Sequence, residues 1–260
     1  MVTSAELEDL YKQTKYREMI GLVNKEILDP DSIEDEKKLL QSGWAHHQLG
    51  EYDNSITIFV ALSMHHSADT EIGESARRGE AHGVLQRWGH VEAADALMRQ
   101  IPPSLSRDNL RMNIFIMAAR KGLTIPAEVI VEMATNALKA APYAIANGHI
   151  VNNGTMVLYE ARNQEAMKPY LPLMPAFIFA AIGIYKATGA AENHIAGAKF
   201  RASQVCEERG WLTIALALAR QSTDLWEKLV SSQDGVRYQQ NLENAEAQLK
   251  KLRLLTFPGG

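Results

Sequence analysis

Leu49-Gly50-Glu51-Tyr52-Asp53-Asn54-Ser55-Ile56, running on through Phe59 and Leu62, reads as a tight glycine turn followed by an amphipathic helix. Ile56, Phe59 and Leu62 stand at i, i+3 and i+6 and share one face, and Tyr52 precedes them where it packs under the turn. Two stretches repeat the pattern in register: Thr14-Lys15-Tyr16-Arg17-Glu18-Met19-Ile20 on to Val23, and Gly89-His90-Val91-Glu92-Ala93-Ala94-Asp95 on to Met98. The turn positions 14, 50 and 89 are spaced by 36 and 39 residues. A hairpin recurring at such a period is the mark of a stacked array, because one hairpin alone cannot bury its apolar face and its neighbours must do so.

Helical periodicity covers nearly all of the chain, and β-branched alternation is scarce. Turn-forming residues punctuate it at helix-length intervals, among them Gly50, Gly89, Pro102-Pro103, Gly122, Pro126, Gly148, Asn163, Gly189, Gly210 and Gly235. Pro126 is placed to open a helix over 127–140, since a first-turn proline has no amide hydrogen to waste. Ser55, Ala94 and Ala215 are small where the two helices of a hairpin must approach closely.

Leu39, Gly43, Gly50, Tyr52, Ser55, Phe59 and Leu62 resemble the tetratricopeptide repeat pattern, in a unit from about Glu36 to Asp69. Units at about 3–30 and 75–102 resemble it less closely, and Phe200 to Ser222 resembles a further repeat. The resemblance implies an all-α fold: a right-handed superhelical array of antiparallel helix hairpins, closed by a C-terminal capping helix. Residues 1–104 are expected to form the clear repeats and 105–235 divergent hairpins continuous with them. Residues 236–260 are expected to be a capping or self-association helix with a frayed tail. In that last segment Tyr238, Leu242, Ala245, Leu249 and Leu252 alternate at 4 and 3. Such a seam either covers the final hairpin or joins two copies of the chain through Tyr238, Leu242, Leu249 and Leu252.

The 260 residues carry a net charge of −4, which gives no general basic surface for nucleic acid. The basic runs Lys37-Lys38, Arg77-Arg78 and Lys250-Lys251 read as solvated helix faces. A single cysteine, Cys206, excludes an intrachain disulfide, fits a reducing and therefore cytoplasmic setting, and reads as a buried, inert thiol. Residues 1–10 hold three acidic groups and no apolar run, so no signal peptide is expected. The longest apolar stretch, Leu171 to Tyr185, holds two prolines and is too short to span a bilayer; it reads as a buried hairpin.

No nucleophile elbow, Walker-type loop or His-Glu-x-x-His helix occurs, and no catalytic residue, cofactor or metal is expected. The pairs His46-His47 and His65-His66 fall at distant points of one hairpin, which argues against a shared zinc site. The family's concave groove points instead to a protein or peptide partner. Carried over by the places before the Gly50 turn, the groove residues are Leu40, Trp44 and His47. In the next unit the same places hold Gly79, Gly83 and Gln86, with Arg87 beside them, so that Trp44 faces small residues across a pocket. Asn153 and Gln204 extend the groove. The clamp some members use for peptide carboxy-termini is not carried over, because Glu8 and Trp44 stand at its groove positions.

Asn147, His149, Asn152 and Asn153 form a second polar group. His149, Asn152 and Asn153 share a helix face at i, i+3 and i+4, although asparagine is a poor helix former. They mark either a ligand pocket or an ordinary loop and cap. The leading function is therefore a protein- or peptide-binding scaffold: an adaptor, a co-chaperone-like factor or a regulatory subunit. A small-molecule receptor or unusual enzyme with its pocket in the divergent middle region is one alternative, and a self-assembling structural protein is another.

Overall fold

A computed structural model describes residues 2–26, 28–29, 32–140, 148–232 and 235–257. Among the described residues all regular structure is helical, and there is no strand. Contacts divide the chain into two compact units, residues 1–124 and 125–260.

The first unit holds α1 (Ser4–Lys12), α2 (Tyr16–Val23), α3 (Ile33–Gln48), α4 (Tyr52–His65), α5 (Glu71–Trp88), α6 (Val91–Arg99) and α7 (Leu105–Arg120). Each helix packs on the next, and α1 also touches α3, α3 touches α5, and α5 touches α7. The first helices of successive hairpins thus stand side by side. The boundary expected at 104/105 falls just before α7, which packs against α5 and α6 and so belongs with the first unit.

The turns explain the registry seen in the sequence. Thr14, Gly50 and Gly89 all adopt left-handed backbone, with φ of 59°, 75° and 69°. At Gly50 the amide donates to the His47 carbonyl at 3.0 Å and the Glu51 amide to the His46 carbonyl at 2.9 Å. This motif ties off carbonyls that the helix end leaves open. Thr14 repeats it with the carbonyls of Tyr11 and Leu10, at 3.0 Å each, despite a β-branched side chain that disfavours the conformation. Gly122, Gly189 and Gly210 close α7 and two later helices with the same pair of bonds.

Leu7, Met19, Ile20, Val23 and Ala45 form the core under the first hairpin. Phe59 is the knob of the second and is fully buried. A Cβ at Gly43 would come within 2.8 Å of its ring, and one at Gly79 within 2.4 Å. These glycines let α3 and α5 close onto the ring from two sides. Asp95 and Arg111, both buried, hold α6 to α7 through bonds of 2.7 and 3.2 Å.

The second unit holds α8 (Ala127–Ala140), α9 (Gly148–Glu160), α10 (Met174–Ala187), α11 (Glu192–Glu208), α12 (Leu212–Val230) and α13 (Gln239–Thr256). Pro126 opens α8 as expected, accepting from Val129 and Ile130 at 3.1 and 3.2 Å. Neighbouring helices pack in order, and α9 touches α11 and α11 touches α13. Residues 171–185 are a single helix after a short 3-10 turn, not the expected hairpin, because Pro172 and Pro175 sit in first turns where proline starts a helix. Met174, Phe177, Ile178, Ala181, Ile182, Ile184 and Tyr185 are buried along it. Cys206 is buried, and desolvation raises its thiol pKa.

The seam of the last segment turns inward. Leu249 and Leu252 join the core of α10, α11 and α12, while Leu242 and Ala245 pack with Ala196 and Trp226. Tyr238 lies against Trp226 at 5.6 Å between ring centroids. The side chains named for a homodimer are therefore engaged within the chain, which corrects the seam as a self-association surface. The end of the expected frayed tail, 258–260, lies outside the described residues.

Candidate binding groove

In the first unit a cavity of about 420 Å³ is lined by Glu8, Tyr11, Gln41, Trp44, Gln48, Arg78, His82, Leu110 and Asn113. All nine come from α1, α3, α5 and α7, the first helices of successive hairpins. Their spacing is helical: Glu8 and Tyr11 at i, i+3; Gln41, Trp44 and Gln48 at i, i+3, i+7; Arg78 and His82 at i, i+4; Leu110 and Asn113 at i, i+3. Each helix presents a stripe to the same space.

Trp44 forms one wall. Its ring rests on Phe59, 5.0 Å between centroids, and meets His47 and His82 edge-on at 5.6 and 5.9 Å. The indole Nε1 donates to Ser75 Oγ at 3.3 Å. Arg78 lies over the Trp44 face at 5.0 Å and donates through Nη2 to Ser75 Oγ at 3.4 Å. The Glu74 carboxylate, one turn back on α5, attracts this guanidinium. Desolvation lowers its pKa, but an arginine remains charged at neutral pH.

The polar atoms here are poorly matched. Gln41 Oε1, Arg78 Nε and His82 Nε2 are buried without a hydrogen-bond partner, as is His47 Nδ1 behind Trp44. Burial pushes His82 down to about 3, with smaller contributions from His47 and Arg78, so its ring is neutral at pH 7. Burial also lowers His47. Gln48 and Gln41 are each held by α1, through Tyr11 Oη at 2.9 Å and the Ser4 carbonyl at 3.0 Å.

Several expected site residues stand elsewhere. Leu40 packs beside the cluster of Leu62, Ile72 and Ala76, in the contact between helices. Arg87 is exposed and paired with Asp53 at 2.9 Å, away from the cavity. The space opposite Trp44 at Gly79 and Gly83 is filled: a Cβ at either would come within 2.4 or 2.5 Å of Phe59 or Ile56. The pocket opens one residue earlier, at Arg78 and His82. Asn153 and Gln204 belong to the second unit and line no part of this cavity.

The basic runs are also mostly engaged. Lys38 is buried between Asp35 and Glu26, at 2.7 and 2.9 Å. Arg77 caps carbonyls of Ser63, His66 and Gly73, each at 3.1 Å, while its neighbour Arg78 enters the cavity. Lys251 pairs with Glu207 at 2.5 Å. Two histidines of the tandem pairs have carboxylate partners: His46 with Glu51 at 2.6 Å and His66 with Glu36 at 2.7 Å.

The second polar group gains unexpected members. His149 Nδ1 shares a hydrogen bond of 3.1 Å with the buried Tyr185 hydroxyl, and its ring meets His194 at 4.4 Å. Tyr185 stacks on His194 at 5.7 Å, and burial pushes the phenol up to about 12. Asn152 Nδ2 donates to Asn153 Oδ1 at 3.0 Å, and Asn152 Oδ1 accepts from Arg201 at 3.4 Å. Asn147 lies outside the described residues.

Among the described residues no three His, Cys, Asp or Glu side chains gather as metal ligands, and no helix is long and apolar enough to cross a membrane. No protein-family model matches this chain, and no curated protein matches it in sequence.

Proposed function

We propose that the chain is a peptide- or protein-binding scaffold of tetratricopeptide-like build, with its ligand seated where α1, α3, α5 and α7 line a common cavity. One observation carries this reading. Every lining residue comes from the first helix of a hairpin, as in a stacked array whose first helices share an inner face. Trp44 and Tyr11 supply rigid aromatic area, Leu110 an apolar contact, and Gln41, Gln48 and Asn113 amides that can meet a peptide backbone. The cavity volume falls within the few hundred Å³ usual for a specific pocket.

The test is selection of a random peptide library on the full chain, followed by affinity measurement. Trp44→Ala and Arg78→Ala should weaken a selected peptide by roughly tenfold or more, as hot-spot residues do. Arg87→Ala should leave binding unchanged. Peptides that bind all three variants like wild type would place the ligand elsewhere.

A further inference from the structure

We infer that the face between α12 and α13 docks an acidic amphipathic helix of a partner protein, as a second interaction surface that does not depend on the groove of the first unit. A cavity of about 440 Å³ opens there. Leu216 and Arg220 of α12 line one side, and Leu249, Arg253, Leu254 and Phe257, at the C-terminal end of α13, line the other. The spacing is helical on both sides: Leu216 and Arg220 at i, i+4, and Leu249, Arg253 and Phe257 at i, i+4, i+8. Two such rows with a cleft between them are what a third helix packs into. Leu254 and Phe257 are 62% and 63% exposed, so covering them would remove apolar surface from water.

The order of the helices says what shape fits this place. In the second unit α10 packs on α9 and α11, and α12 packs on α11 and α13. Leu218 and Ala219 of α12 share a core with Ile178 and Ile182 of α10 and with Ala198 and Ala202 of α11. A helix in the equivalent place one hairpin further on would lie against α12 and α13, where the cavity opens. Charge then selects the kind of helix. Both charged lining side chains are arginines, and the nearest acids in sequence, Asp224 and Glu246, line no part of the cavity. Arg220 and Arg253 are exposed, and among the described residues neither is in an ion pair. Carboxylates flanking a leucine stripe would meet both guanidiniums while the leucines fill the cleft. A second copy docked about a two-fold axis would instead set these arginines against their own counterparts.

The test is selection of a helical peptide library on the full chain. Leucine is fixed at i, i+3, i+4 and i+7, and the flanking positions are left open to Glu, Gln or Lys. Selected peptides should be rich in Glu, and the double variant Arg220→Glu with Arg253→Glu should bind them roughly tenfold or more weakly. Exchanging their Glu for Lys should restore binding to that variant, which a misfolded protein could not do. Leu254→Lys should weaken binding as well, and Trp44→Ala should leave it unchanged. Peptides that need both arginines but not Trp44 support this surface even where the groove of the first unit fails. Peptides that need Trp44 but neither arginine keep that groove and overturn this inference, as does equal recovery of Glu, Gln and Lys. If no Glu-rich peptide is selected, and phosphatidylserine vesicles bind wild type but not the double variant, the face meets a membrane. A doubled mass in light scattering that the double variant abolishes makes it a contact between copies. Either result overturns the docked helix.

Discussion

Polar groups are buried in both units, but they are treated differently. In the second unit the buried Tyr185 hydroxyl bonds the exposed His149 imidazole, and the buried Asn152 amide bonds Asn153 and the Arg201 guanidinium. Around Trp44 in the first, an amide oxygen, a guanidinium nitrogen and two imidazole nitrogens are buried with nothing to bond. A satisfied cluster does its work within the fold, whereas on the binding reading proposed above the unsatisfied one beside the cavity is where a ligand group would bond. The contrast predicts that substitutions at paired buried groups act on stability and substitutions at unpaired ones act on binding.

The largest effect should come from a paired charge. Asp95→Ala removes the carboxylate that the buried Arg111 bonds and should destabilise the first unit by about 3–5 kcal/mol, measured by urea unfolding. A loss below 1 kcal/mol would mean that pairing does not distinguish Arg111 from Arg78, and the comparison would lose its basis.

Acid should expose the next effect. His82 is held neutral, with its pKa pushed down to about 3, while in the unfolded chain it takes a proton near its ordinary value of 6.5. Between those values the unfolded state binds the extra proton. The stability is therefore whole above pH 6.5 and is lost progressively as pH falls towards 3. The slope is at most about 1.4 kcal/mol per pH unit, so by pH 4.5 wild type should lose up to about 2–3 kcal/mol more than His82→Gln. Parallel pH profiles for the two proteins would show that His82 is solvated and not an unmet buried group.

Gly79→Ala tests the floor of the cavity. The added Cβ would lie 2.4 Å from the Phe59 ring, which Gly43 already confines on its other side. Overpacking of this kind costs about 1–3 kcal/mol, less the gain in helix propensity. Because Phe59 carries Trp44, peptide affinity should fall with stability. Affinity that holds while stability falls would uncouple the packing of Phe59 from the groove.

The helices and their turns were legible because backbone chemistry is local. Gly50, Gly89, Gly122, Gly189 and Gly210 stand where a left-handed residue closes a helix, and Pro126 where one opens. The cavity was legible only in part. Gly79 and Gly83 could be read as small, but whether smallness leaves a void or admits a neighbour depends on Phe59 and Ile56, which lie on a different helix. Arg77 and Arg78 look alike in sequence. A helix turns by roughly 100° between them, which sends one to cap carbonyls and the other to the cavity. The asparagine-rich segment was visible because it breaks helix propensity, but its partners Tyr185, His194 and Arg201 are distant in the chain and follow only from the fold.

The smallest effects form the sharpest pair. Tyr185→Phe removes a paired hydroxyl from the second unit and should cost about 0.5–1.5 kcal/mol, as one net hydrogen bond. Arg78→Met removes a partly buried guanidinium whose one hydrogen bond, to Ser75, is long, while keeping apolar contact with Trp44, and should change stability by less than about 0.5 kcal/mol, or raise it. The order matters more than the sizes, because by volume and charge Arg78→Met is the harsher substitution. It is mild only if the contacts of Arg78 with Ser75, Trp44 and Glu74 add little to stability in wild type. If Arg78→Met costs more than Tyr185→Phe in unliganded protein, the guanidinium is a structural brace for Trp44, and the unsatisfied atoms of the groove do not mark a binding site. If it costs nothing while abolishing peptide affinity, stability and function separate at this residue, as the comparison of the two units requires.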